Sequence, residues 1–258
     1  MTTENHAFSK ASTAALLVIG NEILSGKVQD VHVAFLGKKL TEIGIVLSEV
    51  RMIPDQEKLI IDNVNLFRNQ YDYVFTTGGI GPTHDDITAP SVAKAFGVSI
   101  APHPEAVKAF EGRFSPEYLT EAMLRMTRVP AGAELLKNPV TVAPGFKIGN
   151  VFVMPGVPNI MHAMYDFVVP YLEGGEPVAS RTVRTHVIVE SQLSDQLSAI
   201  QSKNPDVEIG SYPAFHKGKF GVSMVVRSCE EKALDRVETQ IIEMLKELGD
   251  DEPILGEL

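Results

Sequence analysis

The chain has 258 residues, of which 44% are hydrophobic and 22% charged, the balance of a folded globular protein rather than a disordered or collagen-like one. At roughly 100–200 residues per domain, that length allows one large domain and favours two unequal ones. Lys and Arg number 23 against 33 Asp and Glu, and the net charge of −10 argues against unspecific adhesion to nucleic acid or anionic membrane, though not against a focused site for a small anion.

Residues 1–13 are polar and lack periodicity, which predicts a frayed arm. Ala14–Ile19 reads as a buried strand. Asp30 is placed to cap a helix whose Val33, Leu36, Leu40 and Ile43 fall at helical spacing, ended by Gly44. Ile45–Ile53 is rich in β-formers and stops at Pro54, and Glu57–Phe67 turns Ile60, Val64 and Phe67 to one face. A third strand is expected over Tyr71–Phe75, then a helix over Thr88–Phe96 closed by Gly97. This alternation predicts an α/β domain with a mostly parallel sheet. Residues 103–126 read as helical in two pieces broken near Ser115-Pro116, Val151–Met154 as a short strand, and Pro158–Leu172 as a helix.

Glu173-Gly174-Gly175-Glu176-Pro177 breaks the rhythm and predicts a boundary, so the domains are expected at 14–175 and 176–258. Beyond it come a strand (Thr182–Glu190), a helix (Ser191–Ser202), a hairpin (Val207–Tyr212 with Phe220–Arg227, turning at Lys217-Gly218-Lys219) and a last helix with Leu234, Val237, Ile241, Met244 and Leu248 on one stripe. The apolar stretch 151–172 is interrupted by Pro155, Gly156, Pro158, Asp166 and Pro170 and is not expected to span a membrane. The short 14–19 run lacks the cleavage site of a signal peptide. The expected address is the cytoplasm. The single cysteine, Cys229, cannot form an intrachain disulfide, and ordinary burial is the default reading for it.

The sharpest local feature is the run from Thr76 to Thr88, Thr-Thr-Gly-Gly-Ile-Gly-Pro-Thr-His-Asp-Asp-Ile-Thr, lying after a strand and before a helix. Ligands of open α/β sheets bind at the carboxyl ends of strands, where glycines let backbone N–H groups approach a phosphate. The same residues also make a tight turn with helix caps, Thr88 or Asp86 capping. Asp85 and Asp86 set a condition on the phosphate reading. Two unit charges 4 Å apart repel by about 4 kcal/mol at an effective dielectric constant near 20, more than the roughly 0.3–1 kcal/mol by which a helix N-terminus favours an anion. A phosphate here therefore calls for a divalent cation shared with the carboxylates. Other strand ends contribute Gly20-Asn21-Glu22, Asp55 after Pro54, and the rigid turn Pro155-Gly156-Val157-Pro158. Each alone is ordinary turn chemistry. Together they are expected to converge on one crevice.

Gly20-x-Glu22-x-Leu24-x-Gly26, the Thr77–Thr88 run, Asn138-Pro139-x-x-x-Ala143-Pro144-Gly145-Phe146 and Pro155-Gly156-Val157-Pro158 occur here in the order found in molybdopterin-binding-like domains. Over about residues 14–172 the chain resembles the CinA (competence/damage-inducible) family, akin to the hydrolase domain of some FAD synthases. The resemblance implies a three-layer α/β/α fold of the MoaB/MogA type, followed by a small KH-like α+β domain. The family's carboxy-terminal amidase domain has no counterpart, so that activity is not expected. The implied function is a metal-dependent pyrophosphatase that cleaves a nucleotide diphosphate such as ADP-ribose or FAD. The alternatives are a molybdopterin-binding or adenylylating protein of molybdenum cofactor synthesis, and a non-catalytic nucleotide- or pterin-binding module.

By alignment of motifs, Asp86 and Asp55 fall on the family's acidic active-site positions, and Gly78, Gly79 and Gly81 on its phosphate-binding turn. Asp86, Asp55 and Glu22 are then expected to organise Mg, Mn or Co. Gly20, Asn21, Thr77, Thr83 and Asp85 would bind the ligand, with Asn138, Pro155, Gly156 and Pro158 shaping its nucleotide end. His84 stands where the motif often has Pro and reads as loop filler. Residues 176–258 carry nine Lys and Arg against fifteen Asp and Glu and show no GXXG loop, so RNA binding is not expected of them. Docking to the first domain or dimerisation is the expected role, with His216–Lys219 as a basic lip.

Overall fold

The computed structural model describes residues 11–216 and 219–256. The expectations for residues 1–10 and for the Lys217-Gly218 turn lie outside them, as does that for a lip of side chains over 216–219. The chain divides into one unit of Ser12–Leu40 with Val46–Glu173, and another of Gly174–Leu258 with Thr41–Ile45.

The first unit runs β1 (Ser12–Ile19), α1 (Asn21–Leu24), α2 (His32–Thr41), β2 (Ile45–Ile53), α3 (Glu57–Gln70), β3 (Tyr73–Thr77), α4 (Thr88–Phe96), β4 (Ile100–Pro102), α5 (Pro104–Arg113), α6 (Glu121–Arg125), β5 (Arg128–Pro130), β6 (Glu134–Leu136), β7 (Gly145–Ile148), β8 (Val151–Met154) and α7 (Pro158–Tyr165). Its six-stranded sheet has the order β2-β1-β3-β8-β7-β6. β1 and β3 run parallel, as do β3 and β8, whereas β7 and β6 add antiparallel strands beyond β8. β1 is apolar on both faces and sits between neighbours, with Ala14–Ile19 all buried. β2 lies at the edge and is buried only at its ends, Ile45 and Ile53. α3 buries Ile60, Val64 and Phe67, and α4 buries Val92 and Ala95, in the core that also holds Ala15, Leu17 and Val74.

Several boundaries move for local reasons. Asp30 does accept a hydrogen bond from Val33 N at the start of α2 (3.0 Å). β3 starts at Tyr73 rather than Tyr71, because α3 continues to Gln70. Tyr71 donates its hydroxyl to Glu49 (2.5 Å), and Asp72 accepts from Thr13 N (2.7 Å). Both residues are tethers outside the strand. α7 ends at Tyr165, and a separate 3-10 turn covers Val169–Tyr171, where Pro170 cannot continue an α-helical ladder. Residues 103–126 form α5, a 3-10 turn at Pro116–Tyr118 and α6. The antiparallel pairs β4–β5 and β6–β7 were not expected. They are three or four residues long and contain Pro102, Pro130 and Gly145, so no alternation is legible in them.

The second unit is an α+β layer of β9 (Ala179–Thr185), α8 (Glu190–Lys203), β10 (Glu208–His216), β11 (Lys219–Ser228), α9 (Glu231–Glu247) and β12 (Ile254–Leu255). The sheet order is β10-β11-β9-β12, antiparallel throughout. β9 stops at Thr185, short of the expected Glu190, because the Thr185 hydroxyl accepts from Val187 N and Ile188 N (3.2 and 3.3 Å) and bends the chain. The expected stripe of α9 is real, with Leu234, Val237, Ile241 and Met244 buried against Val183, Met224 and Val226. Cys229 is half-buried.

Candidate functional site

The parallel order β1-β3-β8 brings three strand ends together, and the loops after them meet. Gly78 follows β3 at φ +97°, its N–H bonded to Met154 O at the end of β8 (3.1 Å), and a Cβ there would lie 2.0 Å from Ile19 O at the end of β1. Only glycine fits where three backbones touch. Gly79, at φ +68°, presses on Thr88, whose Oγ1 would lie 2.2 Å from a Cβ on Gly79. Thr88 N returns a bond to Gly79 O (2.9 Å), closing the loop onto α4. The N–H groups of Gly79, Ile80 and Gly81 make no hydrogen bond among the described residues. Three successive N–H groups without partners form an anion-binding concavity.

These residues floor a cleft of about 620 Å³. Glu22, Asp86 and Gly78–Gly81 belong to its lining, and Asn138, Pro155 and Gly156 contribute to its walls. The remainder of the lining is apolar and aromatic, including Phe110, Phe114, Met126 and Ile160, with Arg113 among them. Asp86 is half-buried and accepts at Oδ2 from Thr83 N (2.7 Å). The Thr83 hydroxyl has one proton to give, and it lies 2.5 Å from Asp86 Oδ2 and 2.6 Å from Asp85 Oδ1. That hydroxyl holds Asp85 below the usual carboxylate range, with the backbone and His84 assisting.

Asp55 does not line the cleft. It accepts from Asn21 N (2.9 Å), which ties the loop after β2 to the loop after β1. Burial raises its carboxyl above the ordinary value, the Asn21 N–H opposes that rise, and the negative charges of Glu22 and Asp85 add to it. A carboxyl raised by burial and by neighbouring negative charge is eased by a nearby cation. Among the described residues, however, no three His, Cys, Asp or Glu side chains stand close enough to hold one ion together. The expected trio Asp86, Asp55 and Glu22 is thus not a closed ligand set, because Asp86 turns to Thr83 while Asp55 turns to Asn21. The fit is to an ion such as Mg²⁺ that takes one or two carboxylates and completes its shell with water and phosphate oxygens.

Other expectations need correction. The Thr77 hydroxyl is only 1% exposed and cannot face a ligand in the cleft. The Gly78 N–H is occupied by Met154 O and leaves the donor set. Neither Thr88 nor Asp86 caps α4, whose N-cap position is Ile87 with no side-chain cap, since Asp86 is bonded to Thr83 instead. Asn138 directs its amide to Ala143 O (2.8 Å) and Thr141 Oγ1 (2.6 Å), and its oxygen accepts from Val140 N and Thr141 N (3.0 and 2.9 Å). It braces the 138–143 wall rather than offering free donors. Gly20 is buried, its N–H bonded to Ile53 O (3.1 Å), and Pro158 opens α7 behind the turn. His84 is 96% exposed in its side chain.

Two features had no sequence signal. His32 is 4% exposed, with Nε2 at 3.1 Å from Gly156 O. A carbonyl can only accept, so Nε2 carries the proton and pins the Pro155–Pro158 turn. The aromatic wall comes from the excursion between α4 and β8. The only hint was the spacing of Phe110, Arg113 and Phe114 and of Met123 and Met126 at helical intervals, in a segment read solely for its helices.

No helix among the described residues is long and apolar enough to cross a membrane. Residues 15–174 match the family described as probable molybdopterin binding domain, and residues 177–249 match the middle domain of FAD synthase. An Archaeoglobus fulgidus protein is 36% identical over 198 residues, covering 77% of this chain and 84% of its own. A putative competence-damage inducible protein of Clostridium botulinum is 32% identical over 233 residues, covering 87% of this chain but 57% of its own length. The crystal structure of CinA from Thermoplasma acidophilum, itself of unknown function, superposes with a TM-score of 0.59 at 30% identity over 63% of this chain and 99% of that one. The chain belongs to the CinA-like members of the molybdopterin-binding domain family.

Proposed function

We propose that the protein is a divalent-cation-dependent pyrophosphatase that hydrolyses a nucleotide diphosphate such as ADP-ribose or FAD to AMP and a second monophosphate. The observation that carries this reading is the partnerless N–H groups of Gly79, Ile80 and Gly81 beside the carboxylates of Asp86 and Glu22, in the lining of a cleft with apolar, aromatic walls. Anion donors together with a wall suited to a flat base match a molecule with a diphosphate and a heterocycle.

In the reaction, a water oxygen bonds to one phosphorus, the bridging P–O bond breaks, and the water's protons leave to solvent or to the released phosphate. Gly79–Gly81 hold the non-bridging oxygens, as oxyanion donors do. Asp86, fixed by Thr83, orients the water, and Asp55 fixes the Asn21–Glu22 loop through Asn21 N. A divalent ion held by Asp86 and Glu22 together with water and phosphate oxygens would neutralise the diphosphate and make a bound water more acidic. His32 keeps the Gly156 turn against the cleft.

The test is the purified protein with Mg²⁺, Mn²⁺ or Co²⁺, offered ADP-ribose and FAD, with AMP measured. AMP that appears with metal and disappears with EDTA is the expected result. A second reading, molybdopterin binding with or without adenylylation, is favoured by the description of the matching family. No AMP together with tight pterin binding would select it. A module that binds a nucleotide without turnover would show neither AMP release nor pterin binding.

A further inference from the structure

Beside the large cleft lies a second, smaller lobe of about 90 Å³, and it shares Gly81 and Asp86 with the first. Its other wall contains Arg125 and Arg128. Neither guanidinium makes an ion pair among the described residues. Arg125 is oriented, since its Nη2 donates to Pro82 O (3.1 Å), and a guanidinium has further N–H groups to give. The residues that line the two lobes include Arg113, Arg125 and Arg128 beside Glu22 and Asp86, three cationic side chains at one cleft of an acidic protein. Low-dielectric walls concentrate such a field.

We propose that the small lobe is a phosphate subsite, with Arg125 and Arg128 as its charged donors. Resting on the diphosphate reading above, it divides the ligand at Asp86. The base and its sugar occupy the large apolar lobe, one phosphate lies over Gly79–Gly81, and the second phosphate lies in the small lobe. The small lobe has room for a phosphate group but not for a nucleoside, so whatever is attached to the second phosphate extends into solvent. Arg125 and Arg128 then select for a diphosphate over a monophosphate and leave the distal group unread. Guanidinium suits this role because it meets phosphate oxygens with paired N–H donors.

The test uses the full chain, titrated calorimetrically with ADP, AMP and inorganic pyrophosphate. Arg128→Ala and the double variant with Arg125→Ala are expected to weaken ADP and pyrophosphate by about tenfold or more, and AMP by much less. Arg128→Ala carries the decision, because Arg125→Ala also removes the bond to Pro82 O. If Arg128→Ala lowers the melting temperature, Arg128→Lys replaces it, with ADP affinity expected between the two. ADP and pyrophosphate affinities within twofold of wild type in the double variant would overturn the proposal. So would equal weakening of ADP and AMP, or a wild-type protein that binds neither ADP nor pyrophosphate. AMP release from ADP-ribose and FAD is scored separately. Arginine-dependent ADP binding without hydrolysis keeps the subsite and removes the pyrophosphatase.

Discussion

The cleft of the first unit and the ion-pair network of the second hold charge differently. In the second unit three arginines are held by carboxylates. Arg181 pairs with Glu231, with Asp235 (2.9 Å) and with Glu238 (3.2 Å), Arg236 pairs with Asp206 (2.6 Å), and Arg227 with Glu208 (3.3 Å). At the cleft of the first unit, Arg125 and Arg128 make no ion pair among the described residues, and Asp55, outside the lining, is pushed toward its neutral form by burial and by neighbours of its own sign. Ion pairs closed within the protein serve the fold. Charges left without a protein partner around a cavity are where a ligand is sought, and the readings proposed above put a phosphate and a cation there.

Three substitutions can break or sharpen this contrast. The largest effect is expected for Asp86→Asn, which should lower AMP release by at least about 100-fold while the melting temperature stays close to wild type. Activity near wild type in the folded variant would remove Asp86 from the site. Next is Arg181→Ala, which strands three carboxylates on α9 and should lower the urea midpoint slightly, less in high salt, with AMP release unchanged. A change in AMP release would show that the network of the second unit serves the site after all.

The smallest effect is expected for Asp55→Asn, and it has the opposite sign. Asp55 holds its proton more tightly folded than unfolded. Its contribution to stability is therefore fully present at pH below the unfolded value near 3.8, and is lost as pH rises through the higher folded value. The neutral variant keeps an acceptor for Asn21 N and should raise the melting temperature at pH 7 by roughly 1–3 °C, flattening the pH dependence above 4. The same melts with added Mg²⁺ should stabilise wild type more than the variant. A variant less stable than wild type at pH 7 would mean that the Asn21 tether, not the charge, dominates at Asp55.

Much of this was legible because it is local. The apolar run of β1, the stripes of α3 and α9 and the closure of α4 at Gly97 follow from residue type and spacing, and all stand in the structure. The Gly78–Gly81 loop was legible for the same reason, since glycine at a strand end is a local requirement. Its hydrogen-bond roles were not. Whether Gly78 N–H is free depends on Met154, seventy-six residues further along the chain, and whether Thr77 faces the ligand depends on the layers packed over it. Asp86 lines the cleft, and its partner, Thr83, takes it from the helix-capping role that the sequence also allowed.

By itself, the sequence determined the elements β1, α2, β2, α3, β3, α4 and β8 of the α/β unit, the change of pattern after Glu173, and the residues that occupy the strand ends, because each depends on a short stretch of chain. Only the tertiary structure decided which strand ends adjoin, which N–H groups remain free, and that Arg125 and Arg128 stand across a small lobe from Asp86. Those are outcomes of pairing between distant segments, and a pairing register has no signature within either segment alone.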